Sequence, residues 1–210
     1  MRFATLATPN VDIGSVQTIR RVCLLLTVAF VAIVFTFSTS RWPYPARAAI
    51  EWAGLALLGI CIGGRTWCSL YIGGRKTSEL VTTGPYSLSR NPLYLFSTIG
   101  AVGVGAQLGA VSIAMLAGLF AWAAHVPVMV HEERLLLAAH GERYRSYLAR
   151  VPRFLPRFSG WQDAELLEIR PHAVIKTFLD ACYFLAAVPT VALVEYLQNT
   201  GVVRVVLHLP

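Results

Sequence analysis

Two polar segments interrupt an otherwise apolar chain, and both carry side chains that could do chemistry. The first, residues 80–94, holds Tyr86, Arg90, Asn91 and Tyr94 around two turn signals, Gly84-Pro85 and Asn91-Pro92. Proline fixes its own φ and biases the preceding residue away from the helical region. The chain is therefore expected to turn at Gly84-Pro85 and to start a new helix at Pro92, with Asn91 as N-cap. Such a start sets free N–H groups and a positive dipole end beside Arg90 and two tyrosines, a place that can hold an anionic group. The same residues would also serve as plain punctuation between two membrane helices.

The second segment, residues 131–161, opens on His131-Glu132-Glu133 and continues through Gly141, Tyr144, Tyr147, Pro152, Arg153 and Pro156. Its leading half reads as a helix that leaves the membrane and stops at Gly141. Residues 142–150 read as a second short helix with Tyr144 and Tyr147 on one face. A helix pair resting on anionic headgroups accounts for the arginines here, but not for paired glutamates at a membrane edge.

The elements that must position these residues are membrane spans. The chain is 56% hydrophobic and 14% charged, with a mean hydropathy of +0.58, well above an ordinary globular domain. Its 210 residues suffice for several spans but not for a large soluble domain beside them. The fold expected is an all-α integral membrane protein, one domain over 1–210, with about five spans near 22–40, 48–72, 92–108, 111–130 and 174–197. The segments 73–92 and 131–173 lie between them on one side. Arg20-Arg21 before the first apolar run also fits an export signal, but no small-residue cleavage site follows, which favours a retained helix. In the last run Asp180 is expected to face protein or a polar cavity, with a possible break at Pro189. Arg65 near the end of the second run is either functional or snorkels to the headgroups.

The net charge of +7 comes from 18 Lys and Arg against 11 Asp and Glu. With a cytoplasmic N-terminus, the inside regions take most of the arginines, and only Arg41, Arg47 and Arg204 fall outside. Both polar segments then share the cytoplasmic face of what the arginine-rich composition suggests is a bacterial inner membrane. No nucleic-acid-binding signature accompanies the charge. The cysteines Cys23, Cys61, Cys68 and Cys182 show no pairing or Cys-x-x-Cys pattern and read as small buried hydrophobes, with no metal indicated. Gly103-Val104-Gly105 follows no strand, so a Rossmann phosphate loop is excluded and close helix packing is the simplest reading.

Leu80-Val81-Thr82-Thr83-Gly84-Pro85-Tyr86, Arg90-Asn91-Pro92-Leu93-Tyr94, and Glu132-Glu133 with Leu136, Gly141, Tyr144, Tyr147 and Val151-Pro152-Arg153 together resemble the isoprenylcysteine carboxyl methyltransferase family. That family belongs to a wider group with the phospholipid N-methyltransferases, and Arg65-x-Trp67 fits it too. The likeness runs from about Arg65 to Pro156. It implies a membrane enzyme that takes S-adenosylmethionine from the cytosol and a lipophilic acceptor, a small molecule or lipidated substrate, from the bilayer. Such a cofactor needs carboxylate near its α-amino group, a cation or helix start near its carboxylate, and aromatic surface around the adenine. The resemblance gives those parts to Glu132 and Glu133, to Arg90 with Asn91 and the Pro92 helix start, and to Tyr86, Tyr94, Tyr144 and Tyr147. It adds Gly103 and Gly105, which correspond to the Gly-x-Gly of the phospholipid branch, and His131 beside the glutamates.

Methyl transfer from a sulfonium depends mainly on positioning and desolvation. An isoprenylcysteine-type carboxylate acceptor would be oriented by Arg90 or Arg153 and would need no base. A thiol or amine acceptor would need one, and His131 is the nearest. Asn91 stands where the family usually has histidine, so no titrating group is expected there. Two other readings are an NADPH-dependent membrane reductase of sterol-reductase type, which would need extra basic residues for the 2′-phosphate, and a non-catalytic membrane scaffold.

Overall fold

The computed structural model describes residues 33, 36–73 and 79–210. The expected span at 22–40, with Arg20, Arg21 and Cys23, falls outside the described residues except at its end. Helix α1 (Tyr44–Ile72) begins behind Pro43 with Pro45 in its first turn, where the missing N–H costs nothing. Its 29 residues extend about 43 Å, enough to cross a hydrocarbon core of about 30 Å. It ends at Gly73, whose N–H donates to the Ser69 carbonyl (2.8 Å).

A single turn, α2 (Pro85–Leu88), follows Gly84, whose φ of 58° excludes most side chains. Helix α3 (Pro92–Ala106) is apolar but has 15 residues. At about 22 Å it is shorter than the full span expected over 92–108. After Ala106 the chain turns through Gln107 to Gly109, where φ is 65°, and enters α4 (Val111–Arg150). The expected fourth span and the exit helix are thus one continuous element. It runs straight past Glu132 and Glu133 and breaks at Gly141 (φ 50°, ψ −123°). The apolar part of α4 precedes His131, so Tyr144 and Tyr147 lie outside the membrane-crossing portion.

The last apolar run comprises α5 (Pro171–Cys182), a 3₁₀ turn at Tyr183–Ala186 and α6 (Ala187–Asn199). The turn sits just ahead of Pro189, whose ring and missing N–H remove the helical bond to Leu185 four residues back. Among the described residues, three stretches are long and apolar enough to cross a membrane: Tyr44–Ile72, Val111–Arg150 and Pro171–Asn199. One feature departs from the all-helical expectation. Strands β1 (Ser38–Ser40) and β2 (Leu207–Leu209) pair in parallel, Thr39 opposite His208. This ribbon anchors a polar belt at one end of the bundle. There Arg47 pairs with Glu51 (2.7 Å) and Glu195, and Gln198 donates to the Ser38 carbonyl (3.1 Å).

Small residues hold the helices together. A Cβ on Gly103 of α3 would lie 2.9 Å from the Gly54 carbonyl of α1. One on Gly105 would lie 2.7 Å from the Ala114 Cα of α4. Lipid tails compete with every apolar side chain, so helix association here depends on such backbone approach. Gly103 and Gly105 are therefore packing residues at the far end of α3, away from its start at Pro92. Replacing Gly103 by Val is expected to cost about 2 kcal/mol or more through overpacking. A lower thermal melting temperature in detergent, with ligand affinity of the folded fraction unchanged, would be the outcome.

Candidate functional site

The site is built around Glu133, on the face of α4 turned toward the start of α3. Its side chain is 11% exposed and accepts two hydrogen bonds from one guanidinium, Arg153 Nε to Oε1 (3.0 Å) and Nη2 to Oε2 (2.9 Å). Arg90 Nη1 stands 3.4 Å from Oε1. Asn91 Nδ2 donates to the same oxygen at 3.5 Å and to the Arg153 carbonyl at 3.1 Å. Asn91 does occupy the N-cap position of α3, but its side chain makes no capping bond. Its own carbonyl instead takes the N–H groups of Tyr94 and Leu95. The expected side-chain cap yields to this tertiary network, while the N–H groups of Tyr94 and Leu95 close locally onto the N-cap carbonyl.

Backbone bonds stitch the same two segments together. Arg90 N–H donates to the Pro152 carbonyl, and Arg157 N–H to that of Leu88 (2.9 Å each). Ser89 Oγ donates to the Phe154 carbonyl (2.9 Å), and the Tyr147 hydroxyl to the Tyr86 carbonyl (2.7 Å). Residues far apart in sequence thereby form one rigid lobe beyond the end of the helices.

Beside this lobe lies a cavity of about 310 Å³, at the small end of the usual range for ligand sites, roughly 300–1,000 Å³. The loop after α1 contributes Glu79, Leu80, Val81 and Tyr86, and the start of α3 contributes Arg90, Asn91, Leu93 and Tyr94. From α4 come Glu132, Glu133, Leu136, Tyr144 and Tyr147. The remaining wall is the end of α1, with Ser69, Ile72 and Gly73, and α5, with Ala173, Lys176, Thr177 and Asp180. Tyr94 donates its hydroxyl proton to Glu132 Oε1 (2.9 Å) and packs its ring on His125 of α4 (4.9 Å between centroids). Arg90 Nε is buried with no hydrogen-bond partner, so part of this guanidinium still has donor capacity.

The tyrosines are held neutral. Burial, and then the neighbouring Glu133 carboxylate, push the Tyr144 hydroxyl up to about 12. Burial and then Tyr144 raise Tyr147 further, and burial raises Tyr86 well above its ordinary value. Hydrogen bonding to Glu133 raises Arg153 and keeps it charged.

Four expected site residues fall elsewhere. Gly103 and Gly105 pack between helices. His131 is exposed on the face of α4 opposite Glu133, because residues two apart on a helix point about 200° apart. Arg153 stands behind Glu133, its side chain 49% exposed, outside the cavity lining. Sequence reading did not place Glu79, Ser69, Lys176 and Thr177 at the site, and Asp180 was marked only as facing something polar. The signal for the α5 residues was present as charged groups spaced one turn apart within an apolar run.

Fold and site together define a helical integral membrane protein with a largely apolar cavity, edged by charged side chains and tyrosines, at one end of its bundle. The phospholipid methyltransferase family matches residues 52–143. The chain belongs to that family, part of the wider group that includes the isoprenylcysteine carboxyl methyltransferases. It is 31% identical over 188 residues to the cobalt-zinc-cadmium resistance protein CzcN of Cupriavidus metallidurans, covering 88% of this chain and 85% of that protein. Over 175 residues it is 33% identical to the nickel-cobalt-cadmium resistance protein NccN of Alcaligenes xylosoxydans xylosoxydans, covering 83% and 82%. No solved structure matches the chain.

Two outcomes follow from the geometry. Glu133→Ala leaves two arginines facing each other without a counter-charge. It is expected to destabilise the fold by about 2–3 kcal/mol, reduced from the fully buried case because Arg153 is half exposed; chemical denaturation reads this directly. Tyr144 ionises near pH 10 when unfolded and at about 12 when folded. Its contribution to stability is thus complete below pH 10 and lost as pH rises toward 12. Tyrosinate absorbance should show a late-titrating group that Tyr144→Phe removes.

Proposed function

We propose that the protein is an S-adenosylmethionine-dependent methyltransferase that delivers a methyl group to a lipophilic acceptor taken from the bilayer. The observation that carries this reading is the convergence, on one cavity, of Arg90, Glu132 and the four tyrosines Tyr86, Tyr94, Tyr144 and Tyr147. Family membership supports methyl transfer in general, and the named relatives are known here by metal resistance, which leaves the acceptor open.

The residues fit the cofactor's chemistry. Arg90 has unspent donors beside the start of α3 and suits a carboxylate. Glu132 suits an α-ammonium, since Tyr94 already fixes one of its oxygens. Glu133 is taken up by Arg153, Asn91 and Arg90, so its part is to hold Arg90 in place. The tyrosines offer aromatic surface for a purine, and burial keeps Tyr86, Tyr144 and Tyr147 neutral. The cofactor itself supplies an electrophilic methyl on a sulfonium. The protein's work is to align that methyl with the acceptor and to exclude water.

A carboxylate acceptor, the isoprenylcysteine-type substrate, needs no base in this site. His131 is too exposed to act as one for a thiol or amine. The NADPH reading is disfavoured by the cavity's own charges: Glu79, Glu132, Glu133 and Asp180 outnumber Arg90 and Lys176, a poor match to a 2′-phosphate. With the N-terminus cytoplasmic, the cavity faces the cytosol, as the arginine distribution favours.

Calorimetric titration of the detergent-purified protein with S-adenosylhomocysteine, with NADPH in parallel, tests this. Saturable nucleoside binding is expected, weakened about tenfold or more by Arg90→Gln or Glu132→Gln and left unchanged by His131→Ala. A folded protein that binds neither ligand would sink the enzyme reading in favour of a scaffold.

A further inference from the structure

A second cavity, of about 300 Å³, lies within the lobe and is lined by Thr82, Ser87, Arg150, Arg157, Ser159 and Gln162 among others. Apart from Thr82 and Ser87, its lining comes from beyond residues 52–143, the part of the chain matched by the family. Tyr147 is common to both cavities, and its hydroxyl is tied to the Tyr86 carbonyl (2.7 Å), so the side chain they share is fixed in place. The two linings differ in charge. The first cavity is lined by Glu79, Glu132, Glu133 and Asp180, whereas the second carries two guanidiniums and no carboxylate.

The second cavity is a built feature of the fold. Gly84 N–H donates to the Gln162 carbonyl (2.8 Å), and Gln162 N–H donates to the hydroxyl of buried Ser87 (3.0 Å). Trp161 stacks on Trp67 of α1, with ring centroids 5.8 Å apart, and the Tyr71 hydroxyl donates to Asp163 (2.8 Å). Arg157 N–H is held by the Leu88 carbonyl (2.9 Å). Segment 157–163 is thereby pinned to α1 and α2 from both sides. None of these contacts uses a guanidinium.

The two arginines keep most of their donors. Arg150 gives its Nε proton to the Ser146 carbonyl and Arg157 gives its own to Ser159 Oγ (3.3 Å each). Neither pairs with a carboxylate among the described residues. Two cations lining one cavity without a counter-charge repel each other, and an anion between them reverses the sign of that interaction. The planar guanidinium fork suits phosphate oxygens in particular. Ser159 accepts from Arg157 and still has its own proton to give, and the Thr82 hydroxyl has no partner among the described residues.

We propose that this second cavity is a phosphate site, in which Arg150 and Arg157 hold the anion and the Thr82 and Ser159 hydroxyls donate to its remaining oxygens. Two sources offer that chemistry, the head group of an anionic phospholipid and a soluble phosphate ester. Leu155 and Phe158 flank Arg157 and are 73% and 76% exposed. Bare apolar side chains beside cations are what a protein presents to an anionic lipid surface, which favours the lipid. The site does not rest on the methyl-transfer reading.

The test uses the full chain in a neutral detergent. Native mass spectrometry counts retained lipid after addition of phosphatidic acid, phosphatidylglycerol or phosphatidylcholine, and calorimetry follows inorganic phosphate, glycerol 3-phosphate and S-adenosylhomocysteine. Wild type is expected to retain an anionic lipid in preference to phosphatidylcholine, or else to bind a soluble phosphate saturably, and which of these occurs identifies the source. Arg150→Gln and Arg157→Gln should each weaken that binding about tenfold, and Ser159→Glu, which puts a carboxylate into the cavity, at least as much. Arg143→Gln makes the same charge change on the exposed surface of α4 and should stay within about twofold of wild type. Affinity for S-adenosylhomocysteine should stay within about twofold in all four variants. A folded wild type that binds no phosphate probe overturns the site, as does unchanged binding in the cavity variants. Equal weakening by Arg143→Gln also overturns it, because net charge alone would then explain retention. A tenfold loss of nucleoside affinity in the arginine variants overturns it as well, since the two arginines would then serve the cofactor. Wild type that ignores the nucleoside yet holds phosphate through Arg150 and Arg157 overturns methyl transfer alone.

Discussion

The carboxylate of Glu133 is the interaction on which the site depends. It is nearly buried and draws in Arg153, Arg90 and Asn91 from two segments that share no regular secondary structure with α4. A single buried charge would be too costly to keep, whereas a bidentate guanidinium with two further donors offsets most of that cost. The consequence is structural before it is chemical. Residues 84–91 and 151–157 are fixed to one another, so Arg90 and Tyr86 are presented to the cavity at set positions. A cluster of this kind can be worth little in net stability and still decide geometry, because each side chain is ordered by the others.

The membrane portion solves a different problem. Apolar side chains gain nothing by leaving lipid for protein, so α1, α3 and α4 associate where glycine lets backbones meet. The close approaches at Gly54, Gly103 and Gly105 bring the bundle together at the end remote from the site. Toward the site, the end of α1, the start of α3 and α5 enclose the space that becomes the cavity. The polar stripe of α5 then has somewhere to point.

Metal resistance in the relatives' names and methyl transfer in the family's name describe different levels of biology. What the structure shows is a cavity lined by Glu79, Glu132, Glu133 and Asp180 together with Tyr86, Tyr94, Tyr144 and Tyr147. The polar belt at the other end, with Arg47, Glu51 and Glu195, ties α6 to the start of α1.

Much of this was legible in the residues alone. Apolar runs of membrane length, prolines at the starts of α1, α3 and α5, and Gly141 as a break all rest on local rules, which hold wherever the segment ends up. The clustering of Arg90, Glu132, Glu133 and the tyrosines was legible through the family resemblance, and the arginine distribution put both segments on one face. What the sequence could not decide was which partner each polar group would choose. Asn91 had a good local role as a cap, but a buried carboxylate nearby outweighed it. Gly103 and Gly105 carry a motif's spacing and serve packing, and His131 faces outward because it stands two residues, about 200° of helical rotation, from Glu133. The pairing of residues 38–40 with 207–209, and the inward turn of Lys176 and Asp180, depend on contacts between segments distant in the chain. Such contacts are set by the competition of all polar groups for a few buried partners, and only the folded chain settles that competition.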